Sequence, residues 1–301
     1  MNFEQKKPLD TFLNILFERY EAKVPAVKKI TNALIELGVV ANQQEIVNDH
    51  IAFRTLGVPH LGIASSEKIF LHYGYEKRDY YYFEGKKLNA YWYAPPSPEY
   101  PRIFISELRV ADLSAQAQAV IGKYTSAITK DPVDALDLED GQAIGEFFHQ
   151  ALWDLPEKAD YLSLLEESEY AAWVIYNRYY LNHYTISVHD LRPGYNTLED
   201  FNKFVEGLDL KLNSSGAKIK VSPDGLLRQS STLAEVQEAE FAGGEKMAIA
   251  GSYVEFSERL VLPEFKDLPI NEIRAAHRRE GFETDNADKI FESTYLNLNK
   301  R

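Results

Sequence analysis

The sequence predicts an α+β fold in which two β-α-β-β-β modules pair to form one curved, half-open mixed sheet. A strand, an amphipathic helix and further strands follow one another in residues 46–110, and the same order recurs in residues 181–262. The strand runs alternate β-branched or aromatic residues with small or polar ones, the period-two pattern of half-buried strands. The remaining segments carry apolar residues at helical spacing. The repeated order predicts one duplicated architecture within a single domain of residues 1–301.

Three segments surround the two modules. Residues 1–45 form a helical N-terminal cover, with apolar residues at helical spacing from Leu9 to Leu37 and a break near Pro25. Residues 111–180 return to helical patterning and are predicted to be a helical insertion. Residues 263–301 mix helix formers with a Gly-Phe break, which predicts a C-terminal helix or a lid over the sheet.

Each module begins with a strand that contains a histidine. In the first module HIAFRT precedes a helix at about 60–73 and the strands EKRDYYYF, KLNAYWYA and RIFISELRV. In the second, NHYTISVH precedes a helix at about 196–208 and four strand-like runs. These runs are KIKVS, LLRQSS, KMAIA and SYVEFSERLV.

Composition excludes several classes of function. The chain of 301 residues has no cysteine, which rules out thiolate catalysis and metal sites built on cysteine. Its formal net charge of −13 argues against broad nucleic-acid contact, which needs a basic face. The N-terminus does not resemble a signal peptide, and no apolar run approaches the length of a membrane span. We therefore expect a cytoplasmic protein without nucleic-acid or membrane partners; the sequence does not reveal its oligomeric state.

Two histidines and a glutamate are predicted to form a metal site. His50 and His183 occupy matched positions in the first strands of the two modules, and Glu255 lies in the last strand of the second. Pairing of the modules would collect these side chains on the concave face of the sheet. Two imidazoles and one carboxylate with open positions are the ligand set of mononuclear Fe(II) oxygenases. The same set also accepts Zn²⁺, Mn²⁺ and Co²⁺.

Strand alternation predicts which neighbours share the metal-binding face. Arg54 follows His50 on that face, Ser187 and His189 follow His183, and Arg259 follows Glu255, whereas Glu258 would point to the other side. His189 is interpreted as a structural or supporting residue. Glu107 is predicted to occupy the place in the first module that Glu255 has in the second, so it is either a fourth ligand or a buried, paired acid. The remaining histidines are interpreted as structural: His60, His72, His149 and His277.

The motifs DHIAFR, NHYTISV and YVEFSER, with the ending GFETDNADKIFEST, resemble the 2-oxoadipate dioxygenase/decarboxylase family of the vicinal oxygen chelate superfamily. The resemblance covers most of residues 45–295. In the related 4-hydroxyphenylpyruvate dioxygenase and hydroxymandelate synthase branch, the metal carboxylate lies four residues before an arginine. Glu255 lies four residues before Arg259, which favours Glu255 over Glu258. Arg54, four residues after His50, matches the arginine that binds the substrate carboxylate in this family.

This resemblance implies an Fe(II)-dependent enzyme that converts 2-oxoadipate and O2 to 2-hydroxyglutarate and CO2. The 2-oxo dicarboxylic acid would chelate the metal, and Arg54 would bind its distal carboxylate as a planar, charged fork. Four residues are candidates to orient the keto acid or to support Glu255: Ser187, Gln229, Ser230 and Arg259. Two alternatives remain open. One is another metal-dependent enzyme on this scaffold, namely an isomerase, a lyase or a ring-cleaving dioxygenase. The other is a non-catalytic protein that binds an acidic metabolite.

Overall fold

Ten strands are present in the computed structural model, which describes residues 3–4 and 6–296. Four belong to the first module and six follow the helical insertion. In chain order they are β1 (Asn48–Leu56), β2 (Glu76–Phe83), β3 (Leu88–Ala94), β4 (Arg102–Leu108), β5 (His183–Ser187), β6 (Lys220–Val221), β7 (Leu227–Ser231), β8 (Val236–Glu240), β9 (Lys246–Ala250) and β10 (Tyr253–Arg259).

The main sheet contains eight of these strands in the order β2-β3-β4-β1-β5-β10-β7-β6. The antiparallel pair of β1 and β5 joins its two halves, which are related by a pseudo-twofold axis. In each half the first strand of the module pairs in parallel with the last, β1 with β4 and β5 with β10. The predicted mixed sheet of two paired β-α-β-β-β modules is therefore confirmed.

One predicted strand of the second module lies outside this sheet. KMAIA forms β9, which pairs only with β8 in a separate two-stranded sheet. The turn between them contains Gly243 and Gly244, both with positive φ of 86° and 81°. Adjacent glycines with positive φ favour a tight hairpin, so β9 pairs with its neighbour in sequence. The prediction that KMAIA extends the module sheet was wrong.

The helices agree with the sequence periodicity and begin at recognisable signals. Pro8 and Pro25 occupy first-turn positions, where the missing N–H has no cost, and Ser114, Asp140 and Ser168 cap helices of the insertion. The α-helices of the described residues are α1 (Pro8–Lys23), α2 (Pro25–Glu36), α3 (Ile63–His72), α4 (Ala115–Thr125), α5 (Gly141–Phe147), α6 (Lys158–Glu167), α7 (Glu169–Asn177), α8 (Leu198–Gly207) and α9 (Thr284–Phe291).

The two faces of the sheet are covered by different helices. On one face Phe53 of β1 packs against Phe70 of α3 and Phe148 at the end of α5, with ring centroids 5.6 and 4.9 Å apart. The opposite face of β1 carries His50 and Arg54, and α9 lies over it. Within residues 3–4 and 6–296, no helix is both long and apolar enough to cross a membrane.

Candidate active site

Three side chains converge on the face of the sheet that α9 covers. The Nε2 atoms of His50 and His183 lie 3.3 Å apart. The Glu255 carboxylate lies 3.6 Å from Nε2 of His50 and 3.1 Å from Nε2 of His183. All three residues are buried. Residues far apart in the sequence therefore present two nitrogens and a carboxylate to one point.

Sheet register explains this convergence. His50 of β1 is opposite Thr185 of β5, and Thr185 is in turn paired with Glu255 of β10. His183 lies two residues before Thr185 and therefore points to the same face. The central strands of both modules thus meet at the pseudo-twofold axis, and each contributes one histidine there.

The spacing of these atoms suits a divalent metal ion. Bonds of about 2.1 Å at right angles would place neighbouring ligand atoms about 3 Å apart, close to the observed 3.1–3.6 Å. The ligand atoms of His50, His183 and Glu255 all lie within 4.8 Å of one another, so this group could hold a metal ion. Glu255 is 1% exposed, and a buried carboxylate is costly without a cation.

The electrostatics of the group are tightly coupled. Burial lowers the pKa of His183 to about 3, against the opposing effect of Glu255, so its imidazole is neutral at neutral pH. Burial also acts to lower the pKa of His50, but Glu255 and Asp49 overcome it and the net shift is upward. For Glu255, burial would raise the pKa, but the two histidines and Gln229 lower it. Glu255 is therefore ionised, as a metal ligand must be.

The Nδ1 nitrogen of each histidine contacts the residue just before it. Nδ1 of His50 lies 2.8 Å from Oδ2 of Asp49, and Nδ1 of His183 lies 3.0 Å from Oδ1 of Asn182. Such contacts fix the ring orientation of metal-binding histidines. The sequence interpretation missed Asp49 and Asn182, although the matched dipeptides Asp-His and Asn-His were a readable signal.

Gln229 contacts Glu255 directly. Its Nε2 donates to Oε1 of Glu255 at 2.7 Å, while its own Oε1 accepts a hydrogen bond of 3.1 Å from Asn286 of α9. Gln229 also lines the cavity beside the triad. It therefore supports Glu255, one of the two roles considered from the sequence.

Arg54 is buried close to the triad, on the same face of β1 as His50. Its Nη1 lies 3.3 Å from Glu169, and its Nη2 donates to the carbonyl of Phe291 and to Oγ1 of Thr294. The guanidinium also faces the ring of Tyr170, with its carbon 5.0 Å from the ring centroid. Among the described residues Nε has no hydrogen-bond partner.

Three other predicted substrate-binding residues are directed elsewhere. Ser230 donates to Asn202 of α8 at 2.7 Å, on the opposite face of the sheet from Gln229, as strand alternation requires. Ser187 donates to Asp190 at 2.7 Å. Arg259 is engaged by a buried ion pair with Asp49. Like Arg54, none of the three lines the triad cavity, and their roles in orienting a keto acid or supporting Glu255 stay predictions.

Glu107 also lies away from the triad. It does not occupy the place in the first module that Glu255 has in the second, because the strands align differently from the predicted register. Phe104 of β4 pairs with Ala52, two residues after His50, whereas Glu255 pairs with Thr185, two residues after His183. Phe104 is therefore the counterpart of Glu255.

Glu107 instead corresponds to Glu258. The Glu107 carboxylate accepts a hydrogen bond of 2.7 Å from the backbone N–H of Ile63, at the start of α3. Glu258 accepts the equivalent bond from Leu198, at the start of α8, at 3.1 Å. Both acids thus cap the helix of their own module, and Glu107 lies outside the group of described residues that could hold a metal ion.

His189 lies just after β5 and contacts the backbone of the strand that carries Glu255. Its Nδ1 accepts a hydrogen bond of 3.2 Å from the N–H of Arg259. Burial, followed by the charges of Arg278 and Arg259, lowers its pKa to about 4. The neutral ring supports Arg259 and does not reach the triad cavity.

Aromatic rings enclose the triad. Tyr253 stacks on His183 with centroids 4.8 Å apart, and the edge of Phe282 meets His50 at the same distance. Phe291 and Ile290 of α9 close the cavity from above. The free space is about 20 Å³, room for about one water molecule. These residues were not predicted from the sequence, because the contacts of Phe282, Ile290 and Phe291 depend on how the C-terminal segment folds back.

The comparisons with known proteins agree with this geometry. Residues 12–268 match the family model described as 2-oxoadipate dioxygenase/decarboxylase. The chloroplastic 2-oxoadipate dioxygenase/decarboxylase of Arabidopsis thaliana is 44% identical over 274 residues, which cover 87% of this chain and 72% of that protein. The chloroplastic/amyloplastic protein of the same name from Oryza sativa subsp. japonica is 43% identical over 298 residues, covering 96% and 80%.

A solved structure is similar over the whole chain. The hydroxyglutarate synthase from Oryza sativa, crystallised in complex with 2-oxoadipate, superposes with a TM-score of 0.89 at 41% identity. The match covers 100% of this chain and 96% of that one. The chain therefore belongs to the 2-oxoadipate dioxygenase/decarboxylase family.

Proposed function

We propose that this protein is an Fe(II)-dependent dioxygenase and decarboxylase that converts 2-oxoadipate and O2 to 2-hydroxyglutarate and CO2. The observation that carries the proposal is the convergence of His50, His183 and Glu255 beside a buried arginine. The names of the relatives support the same reaction. Fe(II) would supply open coordination positions for the keto acid and O2, together with redox chemistry.

The protein's own groups prepare the site for that cofactor. His50 and His183 would bind the metal through Nε2 because their Nδ1 atoms contact Asp49 and Asn182. Gln229 holds one oxygen of Glu255, so the carboxylate is oriented before a ligand arrives. The surrounding aromatic rings exclude water, which strengthens every electrostatic interaction in the site.

Arg54 would bind the distal carboxylate of the substrate. It lies four residues from His50 along β1, roughly 13 Å between backbone positions at about 3.3 Å per residue, which leaves room for a dicarboxylate between it and the metal. Its present partners are Glu169 and the C-terminal residues Phe291 and Thr294. A substrate carboxylate would take over part of these contacts.

Substrate access requires movement of the segment that covers the triad. The free space of about 20 Å³ beside the triad is too small for 2-oxoadipate. The lining residues Ile290 and Phe291 belong to α9, which follows the irregular stretch after β10. We infer that α9 and the short 3-10 turn Glu292–Thr294 open for the substrate and close over it, as a lid does.

The decisive experiment measures oxygen uptake by the protein reconstituted with Fe(II) and supplied with 2-oxoadipate, and identifies the product by mass. The proposal requires one O2 consumed and one CO2 released for each 2-hydroxyglutarate formed. Oxygen uptake with a ring-cleaved product, or turnover without oxygen, would favour another enzyme of this fold. Failure to bind stoichiometric metal, together with tight binding of 2-oxoadipate, would instead favour a binding protein.

A further inference from the structure

A second cavity, of about 440 Å³, lies on the helical side of the molecule. It is bounded by α1, by the residues that follow α5 and by the C-terminal end of α7, and it shares no lining residue with the triad cavity. Its volume is in the range of small-molecule sites, about 300–1,000 Å³. The proposed reaction does not use it.

The lining of this cavity is rich in positive charge. Arg19 and Lys23 come from α1, and Arg178 is the residue at which α7 ends. Arg19 pairs with Glu146 at the rim. In residues 3–4 and 6–296, no acidic side chain forms an ion pair within 4 Å of Lys23 or Arg178. Glu146 acts on Arg19 and Asp154 acts on Arg178 at longer range, so the three cations exceed these two acids in a chain of net charge −13.

These cations are held in place although they repel one another. Nε and Nη2 of Arg178 donate to the carbonyl of Trp153 at 3.0 and 2.6 Å, and the Lys23 amine lies 4.5 Å from the centre of the Tyr180 ring. Partial desolvation, followed by the charge of Arg178, lowers the pKa of Lys23. Repulsion between these cations raises the free energy of the folded protein. A negatively charged ligand bound among them would offset this repulsion.

The backbone of Arg178 is strained in addition. Its φ of 57° and ψ of −134° fall in the region that favours glycine. A glycine at this position would end α7 without strain. Strained residues persist where the surrounding structure or a function requires the side chain. The arginine side chain offsets part of this strain by donating two hydrogen bonds to the carbonyl of Trp153.

We propose that this cavity binds a small multivalent oxyanion of the phosphate type. A guanidinium and an amine together supply the fork and the point charge that recognise phosphate oxygens. Gln150 adds a further polar side chain to the lining, whereas those of Tyr176 and Asn177 are already hydrogen-bonded to Glu240, Trp173 and Gln237. The cavity exceeds the size of phosphate alone, so a phosphate ester is the class of ligand that it fits.

Isothermal titration of the full-length protein with inorganic phosphate tests this proposal, against sodium chloride of equal ionic strength. Phosphate should bind the wild type, and binding should weaken about tenfold or more in Lys23→Gln and in Arg178→Gly. Lys203→Gln is the matched control, because it removes an exposed lysine from α8. Its affinity for phosphate should equal that of the wild type.

Thermal unfolding without phosphate provides an independent measurement. Lys23→Gln removes repulsion and should be at least as stable as the wild type. Arg178→Gly relieves backbone strain but loses the two hydrogen bonds to the carbonyl of Trp153, so only its response to phosphate is informative. Phosphate should raise the melting temperature of the wild type and of Lys203→Gln, but not of the two cavity variants. The proposal is wrong if the wild type binds phosphate no better than chloride, if all four proteins bind it equally, or if Lys23→Gln is clearly destabilised.

Discussion

Asp49 and Arg259 form a buried ion pair in which Nε and Nη2 of the arginine donate to the two carboxylate oxygens at 2.6 and 2.9 Å. The same carboxylate contacts Nδ1 of His50. Arg259 also donates to the carbonyl of Gly281, next to Phe282, whose ring packs on His50. The strand that carries Glu255 therefore also fixes the orientation of the first histidine and the start of the C-terminal segment.

Replacing Asp49 by asparagine should weaken metal binding. The ring of His50 would lose its charged partner, and loss of such a contact typically lowers metal affinity on the order of 10- to 100-fold. Arg259 would be left as a buried charge without its ion pair, which costs about 3–5 kcal/mol of unfolding free energy. Competition with a chelator measures the affinity, and urea denaturation measures the stability. Asp200→Asn, at a partly exposed position in the first turn of α8, is the control for metal affinity. Unchanged metal affinity in Asp49→Asn would refute the positioning role.

Replacing His183 by alanine should abolish stoichiometric metal binding. A site with two remaining ligands lacks the donor set of a mononuclear centre. Metal content after reconstitution and desalting provides the measurement. His72→Ala removes a histidine that pairs with Glu139 far from the triad, so it should retain full metal content. Equal metal in His183→Ala and the wild type would mean that the triad is not the metal site.

Arg54→Ala should retain the metal but lose turnover of 2-oxoadipate. Removing one partner of a buried charge pair costs about 2–5 kcal/mol, and the loss should appear in kcat/KM. The matched substrate is 2-oxohexanoate, which has no distal carboxylate. The substitution should therefore affect its turnover much less. If both substrates lose the same factor, Arg54 acts on the fold or the metal and not on the distal carboxylate.

Alternation and duplication made the triad predictable. His50 and His183 could be matched because both lie in the first strand of a repeated module, and period-two geometry then selected Glu255 over Glu258. The same reasoning could not place Arg259 or Ser187, because sharing a face of a sheet does not fix how far a side chain lies from the metal. That distance depends on the β1–β5 and β5–β10 registers, which emerge only on folding.

The C-terminal segment shows a second limit of sequence reasoning. The GFETDNADKIFEST motif carried the family resemblance, but its role as the cover over Arg54 depends on contacts with residues more than 200 positions away, such as that of Phe291. No local pattern encodes such contacts. The misplacement of Glu107 has a similar cause, because the strands of the first module were predicted in the correct order along the chain while their alignment with the second module was shifted by three residues.

Glu107→Gln should therefore leave metal content and turnover unchanged while lowering stability. The substitution weakens a hydrogen bond to the N-terminus of α3, and bonds that involve a charged group contribute about 1.5–3 kcal/mol. Glu258→Gln, the equivalent change in the second module, should also lower stability. Denaturation midpoints and metal content measure both. Loss of metal in Glu107→Gln would mean that Glu107 is a metal ligand.

His189 should make the stability of the metal-free protein depend on pH. Its folded pKa of about 4 lies below the ordinary value of 6.5, so between these values the unfolded chain binds a proton that the folded protein does not. The contribution of the neutral His189 ring to the unfolding free energy is complete above about pH 6.5. It is lost as the pH falls toward 4, with a slope approaching about 1.4 kcal/mol per pH unit.

The variant His189→Asn isolates this effect. Asparagine can still accept the hydrogen bond from the N–H of Arg259 but does not titrate. Because His183 and His149 also have lowered pKa values, the informative quantity is the difference in unfolding free energy between wild type and variant. Urea denaturation at pH 7.5, 6 and 5 should show the wild type losing stability relative to the variant as the pH falls. A difference that stays constant across this range would mean that His189 is protonated equally in both states.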